Sequence, residues 1–200
     1  MNFKKIDTIK GFMPLHEGKA LMKWAKKFSK LGPILEIGSY CGKSAIFLSH
    51  GAFINEQLVY TIDHHKGSEE HQINEEYFDK STYDFEKESV NTLPFLIKNI
   101  NAFKAHNIVP IIGESIQISK NWNEQLGMVF IDGGHSYDSA NSDYLNWNSK
   151  IISKGSLVIH DIFENPNDGG QAPYEIYQKA LRENFKVFDK VDTCVCLIKN

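Results

Sequence analysis

Short apolar runs rich in β-branched residues alternate along this chain with longer stretches whose apolar residues recur at helical spacing. The helical stripes cover residues 20–28, 93–103 and 137–151. Seven of the short runs are predicted to be strands, at residues 34–37, 58–62, 109–112, 128–131, 157–159, 186–188 and 193–198. Strands that alternate with helices are typical of a parallel sheet covered by helices on both faces.

The last two predicted strands depart from this alternation, because only the four residues 189–192 join them. A crossover between parallel strands needs a dozen or more residues, so this pair is predicted to be antiparallel. We therefore expect an α/β protein with a Rossmann-like, seven-stranded and mostly parallel sheet. One antiparallel strand should lie near the C-terminus, and helices should cover both faces.

Composition narrows the class of protein. The chain has 200 residues, which predicts a single domain over residues 1–200, and 42% of them are hydrophobic and 24% charged. A net charge of −3 gives no general affinity for nucleic acid, and no apolar run is long enough to span a membrane. The three cysteines follow neither a disulfide nor a zinc pattern, and the N-terminus lacks the apolar core of a signal peptide. These features predict a cytoplasmic protein.

One segment, residues 64–88, is too long for an ordinary loop between a strand and a helix. It mixes acidic residues with the aromatic residues Tyr77, Phe78, Tyr83 and Phe85. Two interpretations stay open: a solvated insertion anchored by its aromatic side chains, or a lid over a site at the carboxyl end of the sheet, where long loops often carry specificity.

The turn after the first strand carries an acid, Glu36, and two glycines, Gly38 and Gly42. Dinucleotide folds place G-x-G-x-x-G here, but Tyr40 stands where the second of those glycines belongs, so a pyrophosphate would approach poorly. The acid suits a positively charged ligand instead. Asp63 ends the second strand, where a carboxylate can accept both hydroxyls of a ribose. A cationic ligand with a ribose and no phosphate is S-adenosylmethionine.

The segments LEIGSYCGKSA, VYTID, IIGES, MVFIDGGHSYDSANSDYLNW and ISKGSLVIHDIF resemble the class I methyltransferases. Across residues 34–163 the chain is most similar to the group that contains the catechol O-methyltransferase-like and cephalosporin-hydroxylase-like small-molecule enzymes. The resemblance implies that S-adenosylmethionine is bound by Glu36, Gly38, Ser39, Tyr40, Cys41, Gly42, Ser44, Asp63, His64, Glu114, Ser115 and Asp132. Glu36 and the 38–42 backbone would hold the methionine end, Asp63 the ribose, and Glu114 and Ser115 the adenine.

Asp132, His135 and Asp161 are the predicted catalytic residues, because they follow the ends of the fourth and fifth strands. His135 is open to three roles: a metal ligand, the general base, or a histidine with a structural hydrogen bond. The same three residues are the candidate ligands of a divalent metal, Mg²⁺ or Mn²⁺. The related metal-dependent enzymes place a further acid or amide where this chain has Ile162, which weakens the metal interpretation. His160 is expected to be a packed histidine.

The function predicted from these observations is an S-adenosylmethionine-dependent methyl transfer to a small-molecule acceptor, at oxygen. Two alternatives stay open, a nicotinamide-dependent oxidoreductase and a non-catalytic S-adenosylmethionine-binding protein. The partners expected are the small-molecule acceptor and, in a homo-oligomer, further copies of the chain; no nucleic acid and no membrane are expected.

Overall fold

The computed structural model describes residues 2–75, 77–134 and 136–200. Its strands are β1 Ile34–Ile37, β2 Val59–Asp63, β3 Tyr83–Asp84, β4 Ser89–Val90, β5 Ile108–Ile112, β6 Leu126–Ile131, β7 Ile151–Ile159, β8 Phe185–Val191 and β9 Cys194–Lys199. Its α-helices are α1 Phe3–Asp7, α2 Leu15–Phe28, α3 Lys43–Phe53, α4 Leu93–Phe103, α5 Ser115–Ser119, α6 Tyr137–Trp147 and α7 Ala172–Arg182. None of the helices in these ranges has both the length and the apolar character needed to cross a membrane.

Seven of the strands form one sheet in the order β5-β2-β1-β6-β7-β9-β8. Neighbouring strands are parallel from β5 to β7, whereas β9 runs antiparallel to both β7 and β8. The short β3 and β4 pair separately as a small hairpin within the 64–88 segment. The predicted fold is confirmed, including its single reversed strand near the C-terminus.

Two element boundaries differ from the prediction. Strand β7 begins at Ile151 rather than at 157, and α6 ends at Trp147, so the end of the predicted helical stripe belongs to a 3₁₀ turn and a strand. The polar stretch Ser153–Lys154–Gly155 resembles a loop, but it lies within β7 as an irregularity between two paired positions, Ile151 with Leu126 and Ser156 with Met128. Strand β8 is also longer than predicted, because its polar residues Lys186, Asp189 and Lys190 pair with β9.

The core lies in two layers, one on each face of the sheet. On one face α2, α3 and α4 pack against side chains such as Ile34 and Phe130. On the other face α6 and α7 pack against Leu35 and Val129, which are the next residues along the same strands. Successive strand residues point to opposite faces, so strands buried on both faces are apolar throughout, as β6 is. The helices therefore cover both faces, as predicted.

Candidate functional site

Two adjoining pockets open at the carboxyl ends of the parallel strands. The larger has a volume of about 670 Å³ and the smaller about 420 Å³. Ligands of open α/β sheets bind at this edge, where strand ends and helix N-termini meet. Six residues line both pockets and form the wall between them: Gly38, Tyr40, Ser68, His71, Asp132 and Gly133.

The turn after β1 uses its glycines for backbone geometry. Gly38 has a φ of 85°, and a Cβ there would lie 2.1 Å from the carbonyl oxygen of Asp132, so the ends of β1 and β6 approach too closely for any side chain. Gly42 has a φ of 88°, begins α3, and leaves room for Leu96. The side chain of Cys41 is buried in the core, and neither Cys41 nor Gly42 lines a pocket. These two predicted ligand residues therefore shape the turn rather than face the pockets.

Asp63 holds this turn in place. Its Oδ2 accepts hydrogen bonds from the backbone amides of Ser39 (3.0 Å) and Tyr40 (2.8 Å), and its Oδ1 accepts one from the amide of His65 (2.7 Å). A carboxylate offers about four acceptor positions, so these bonds use most of its capacity. Asp63 also lines the smaller pocket. Its anchoring role was not predicted, and its contact with a ribose stays a prediction.

Glu36 is completely buried beside the same turn. Its Oε2 accepts a hydrogen bond from the hydroxyl of Thr61 (2.7 Å), whereas its Oε1 has no hydrogen-bond partner in the described part of the chain. Burial raises the pKa of Glu36 to about 8, and the nearby carboxylates of Asp132 and Asp63 act in the same direction. A buried acceptor without a donor is costly. Glu36 nevertheless lines neither of the two pockets, because it lies behind the turn.

The other residues predicted for the adenosine end line the smaller pocket: His64, Glu114, Ser115 and Asp132. Asp143, which was not predicted, also lines this pocket and is buried. Burial raises the pKa of Asp143 to about 6. The signal was present in the sequence, because Asp143 lies between Ala140 and Trp147 on the apolar face of the predicted helix, where an acid needs an explanation.

The larger pocket contains Ser39, Ser44, Asp132 and Asp161 of the predicted site. It also contains two lysines that were not predicted. Lys43 is buried, lies at the start of α3, and has its Nζ 3.3 Å from the carboxylate of Asp7. Lys10 pairs with Asp79 across the mouth of the pocket, so the N-terminal segment and the 64–88 segment are joined there.

A group of aromatic side chains covers the same mouth. The ring of His71 stacks on Tyr40 with 5.2 Å between centroids, and Phe12 contacts Tyr77 edge to face at 5.1 Å. Phe12 also contacts Tyr40 and His71 at 5.8 Å. The 64–88 segment therefore lies over both pockets, at the position where a lid would lie.

A buried histidine lies between the predicted catalytic acids. The Nδ1 of His160 lies 2.9 Å from Asp132 Oδ1 and 3.4 Å from Asp161 Oδ2, and its Nε2 lies 2.8 Å from Glu17 Oε2. Burial by itself would lower the pKa of His160, but the charge of Asp132 and the hydrogen bonds to the carboxylates outweigh it, so the pKa is well above its ordinary value. His160 is packed, as expected, but it also connects the two acids. His135 lies outside the described residues.

The described residues fit a divalent ion poorly. Asp132, His160 and Asp161 lie close enough together to be ligands, but both ring nitrogens of His160 already face carboxylate oxygens and have no lone pair to offer. Ile162, where the related metal-dependent enzymes have a ligand, is buried in the apolar core. The predicted Mg²⁺ or Mn²⁺ site therefore has only two carboxylates in the described part of the chain.

Comparisons with known proteins agree with this fold. Structures similar to this chain include the SAH-bound methyltransferase PaMTH1 of Podospora anserina, with 15% identity, a TM-score of 0.68, and coverage of 98% of this chain and 85% of that one. An O-methyltransferase of Bacillus cereus in complex with SAH shows 14% identity, a TM-score of 0.66, and coverage of 99% and 90%. TomG of Streptomyces achromogenes, an O-methyltransferase in complex with SAM, shows 15% identity and a TM-score of 0.63, with coverage of 98% of this chain and 86% of that one.

At these identities the structural matches show the shared fold. The family is shown by a sequence model described as a methyltransferase domain, which matches residues 35–162 and so spans the glycine turn, the smaller pocket and the acids after β6 and β7. The chain belongs to this family of methyltransferase domains.

Proposed function

We propose that the protein transfers the methyl group of S-adenosylmethionine to a hydroxyl oxygen of a small molecule. The observation that carries this proposal is the pair of adjoining pockets that meet at Gly38 and Asp132. One pocket can hold the donor's adenosine while the other holds its methionine end together with an acceptor. The methyltransferase family supports transfer over the nicotinamide-dependent alternative.

The side chains around the donor site support a cationic ligand without phosphates. Asp63 and Asp132 would repel a pyrophosphate, whereas the ammonium group of a methionine moiety would give the buried Oε1 of Glu36 the partner that it lacks among the described residues. The buried Ser39 hydroxyl also lacks a partner among the described residues and lines the larger pocket. The adenosine would lie in the smaller pocket, between Asp63 and Glu114.

The chain's own task in the reaction is to orient the acceptor and remove its proton. When bound, S-adenosylmethionine supplies the methyl group: the C–O bond forms as the C–S bond breaks, and the electron pair of that bond stays on sulfur. Asp132 and Asp161 line the larger pocket, so a carboxylate is available to accept the hydroxyl proton. The transfer therefore neutralises two charges: the positive charge on sulfur and the negative charge on the carboxylate that takes the proton.

Titration calorimetry with S-adenosylmethionine and S-adenosylhomocysteine tests the proposal directly. We expect dissociation constants in the micromolar range, which correspond to a binding free energy on the order of −8 kcal/mol. The fluorescence of NADH should not change when the protein is added. Incorporation of isotopically labelled methyl groups from the donor into a metabolite extract would then identify the acceptor. Absence of binding by either donor form would reject the proposal, and binding without any transfer would leave a non-catalytic binding protein.

Replacing Asp63 with asparagine should weaken donor binding. Asparagine keeps the shape of the side chain but loses the charge that accepts from the Ser39 and Tyr40 amides and, in our proposal, from the ribose. A hydrogen bond to a charged group contributes about 1.5–3 kcal/mol, so calorimetry should show roughly a 10- to 150-fold loss of affinity. Asp192→Asn is the matched control, because Asp192 is an exposed acid at the β8–β9 turn. Equal affinity in the two variants would contradict the role of Asp63.

Donor binding should also slow amide hydrogen exchange in the 64–88 segment, because Ser68 and His71 line both pockets. We expect protection to increase around residues 67–71 when S-adenosylhomocysteine is added, while the β8–β9 hairpin stays unchanged. This result would support a lid. Unchanged exchange in both regions would show that the segment is a structural insertion that does not respond to the donor.

A further inference from the structure

His160 is enclosed by acids that come from three separate elements. Glu17 lies in the first turn of α2, Asp132 follows β6, and Asp161 follows β7. His160 and Glu17 are almost completely buried, whereas the two aspartates lie at the pocket surface. The arrangement places one imidazole ring beside the wall that the two pockets share, in the lining of the larger pocket.

The hydrogen bonds of Glu17 leave its carboxylate fully satisfied. Its Oε2 faces His160, and its Oε1 accepts hydrogen bonds from both the backbone amide and the hydroxyl of Thr193, each at 2.8 Å. Burial by itself would raise the pKa of Glu17, but its bonds to His160 and Thr193 lower it overall, so the group is held ionised. Glu17 is therefore a buried anion next to the site, and it can accept a hydrogen bond from His160 but cannot donate one.

Ionised carboxylates can only accept hydrogen bonds, so a ring with a carboxylate oxygen at each nitrogen has to donate from both. For His160 these distances are 2.8 Å and 2.9 Å, which are those of charge-assisted bonds. The ring is therefore cationic and places a fixed positive charge 2.9 Å from Asp132. A divalent ion bound by Asp132 and Asp161 would lie beside this charge and would be repelled by it.

We propose that His160, held by Glu17, takes the place of the divalent ion at this edge of the sheet and acts as the positioning residue for Asp132. This inference rests on the proposed function and deepens it: methyl transfer by this chain needs no metal. Asp132 keeps one carboxylate oxygen on His160, and its orientation in the pocket wall follows from that bond. In metal-dependent relatives of the kind that the sequence resembles, an ion would supply this charge.

Manganese binding tests this inference without any donor or acceptor. Electron paramagnetic resonance and calorimetry measure the binding of Mn²⁺ alone. We expect that the wild-type protein has no Mn²⁺ site that depends on Asp132, so Asp132→Asn should leave its Mn²⁺ binding unchanged. Removing the cation should create such a site: we expect at least about 10-fold tighter Mn²⁺ binding in His160→Asn, because the positive charge of His160 beside Asp132 no longer repels the ion. His65→Asn is the matched control, since His65 is also buried but bonds to Thr92 rather than to these acids, and it should gain no site.

Two further measurements keep the test decisive if His160→Asn does not fold because the buried Glu17 loses its counter-charge. The double variant Glu17→Gln, His160→Asn removes both charges and should gain the same Mn²⁺ site. In the wild-type protein, ¹⁵N-labelled histidine spectra should show one ring with protons on both nitrogens that Mn²⁺ does not broaden. Any of three results would overturn the inference. The wild-type protein could have an Mn²⁺ site that depends on Asp132, Mn²⁺ could broaden the signals of that ring, or a folded variant without His160 could fail to gain an Mn²⁺ site. Donor calorimetry on the same samples shows separately whether the proposed function holds.

Discussion

Replacing Gly38 with alanine should destabilise the protein and abolish donor binding. An alanine Cβ would lie 2.1 Å from the carbonyl oxygen of Asp132 and 2.9 Å from the Cα of Gly133, both of them backbone atoms that cannot turn aside. The φ of 85° adds a cost of about 1–3 kcal/mol for a residue with a side chain. Relief requires that the ends of β1 and β6 separate, and this separation would open the wall between the two pockets. Denaturant unfolding and calorimetry with S-adenosylhomocysteine measure the two effects.

Gly170→Ala is the control for this experiment. Gly170 also lines the larger pocket, but a Cβ there would meet nothing within 4 Å. We expect its unfolding midpoint to stay close to that of the wild type. A Gly38→Ala protein that unfolds at the wild-type midpoint and still binds the donor would show that the two strand ends can part without affecting the site.

Glu36→Gln should have opposite effects on stability and on donor binding. The pKa of Glu36 is about 8 in the folded protein and near the ordinary value of 4.5 when the chain is unfolded. Between these values the folded state binds a proton that the unfolded state has lost, so this residue makes wild-type stability fall as pH rises. Glutamine does not ionise. The unfolding free energy of the variant should therefore rise relative to wild type from about pH 5 to about pH 8 and level off above that.

Donor binding should respond in the other direction. At pH 8 or above, where Glu36 ionises, the donor's ammonium group pairs in our proposal with the Glu36 carboxylate, and an amide cannot replace that charge. Because a charged hydrogen bond contributes about 1.5–3 kcal/mol, we expect calorimetry to show roughly a 10- to 150-fold weaker affinity for S-adenosylhomocysteine. A variant that is stabilised at pH 8 with unchanged donor affinity would show that Glu36 is a structural acid, and the methionine end would need another partner.

The pattern of the sequence predicted the sheet closely where the signal is local. The short link at residues 189–192 was enough to predict the reversed strand β9, because no helix fits into four residues. The positions of Gly38, Asp63, Asp132 and Asp161 at strand ends predicted that they would meet at one edge, and each of them lines a pocket. Boundaries failed where pairing overrides composition, as at the polar residues of β8 that pair with β9.

The sequence by itself determined the strand order along the chain, the glycine turn and the acids that follow the strands, because each of these is a property of neighbouring residues. Only the tertiary structure decided what those residues contact. Glu17 and His160 lie 143 residues apart, and they meet because the order of strands in the sheet brings the start of α2 next to the end of β7. Asp63 likewise holds the turn of another strand. Pairings between distant elements depend on sheet order and packing, which no local pattern encodes.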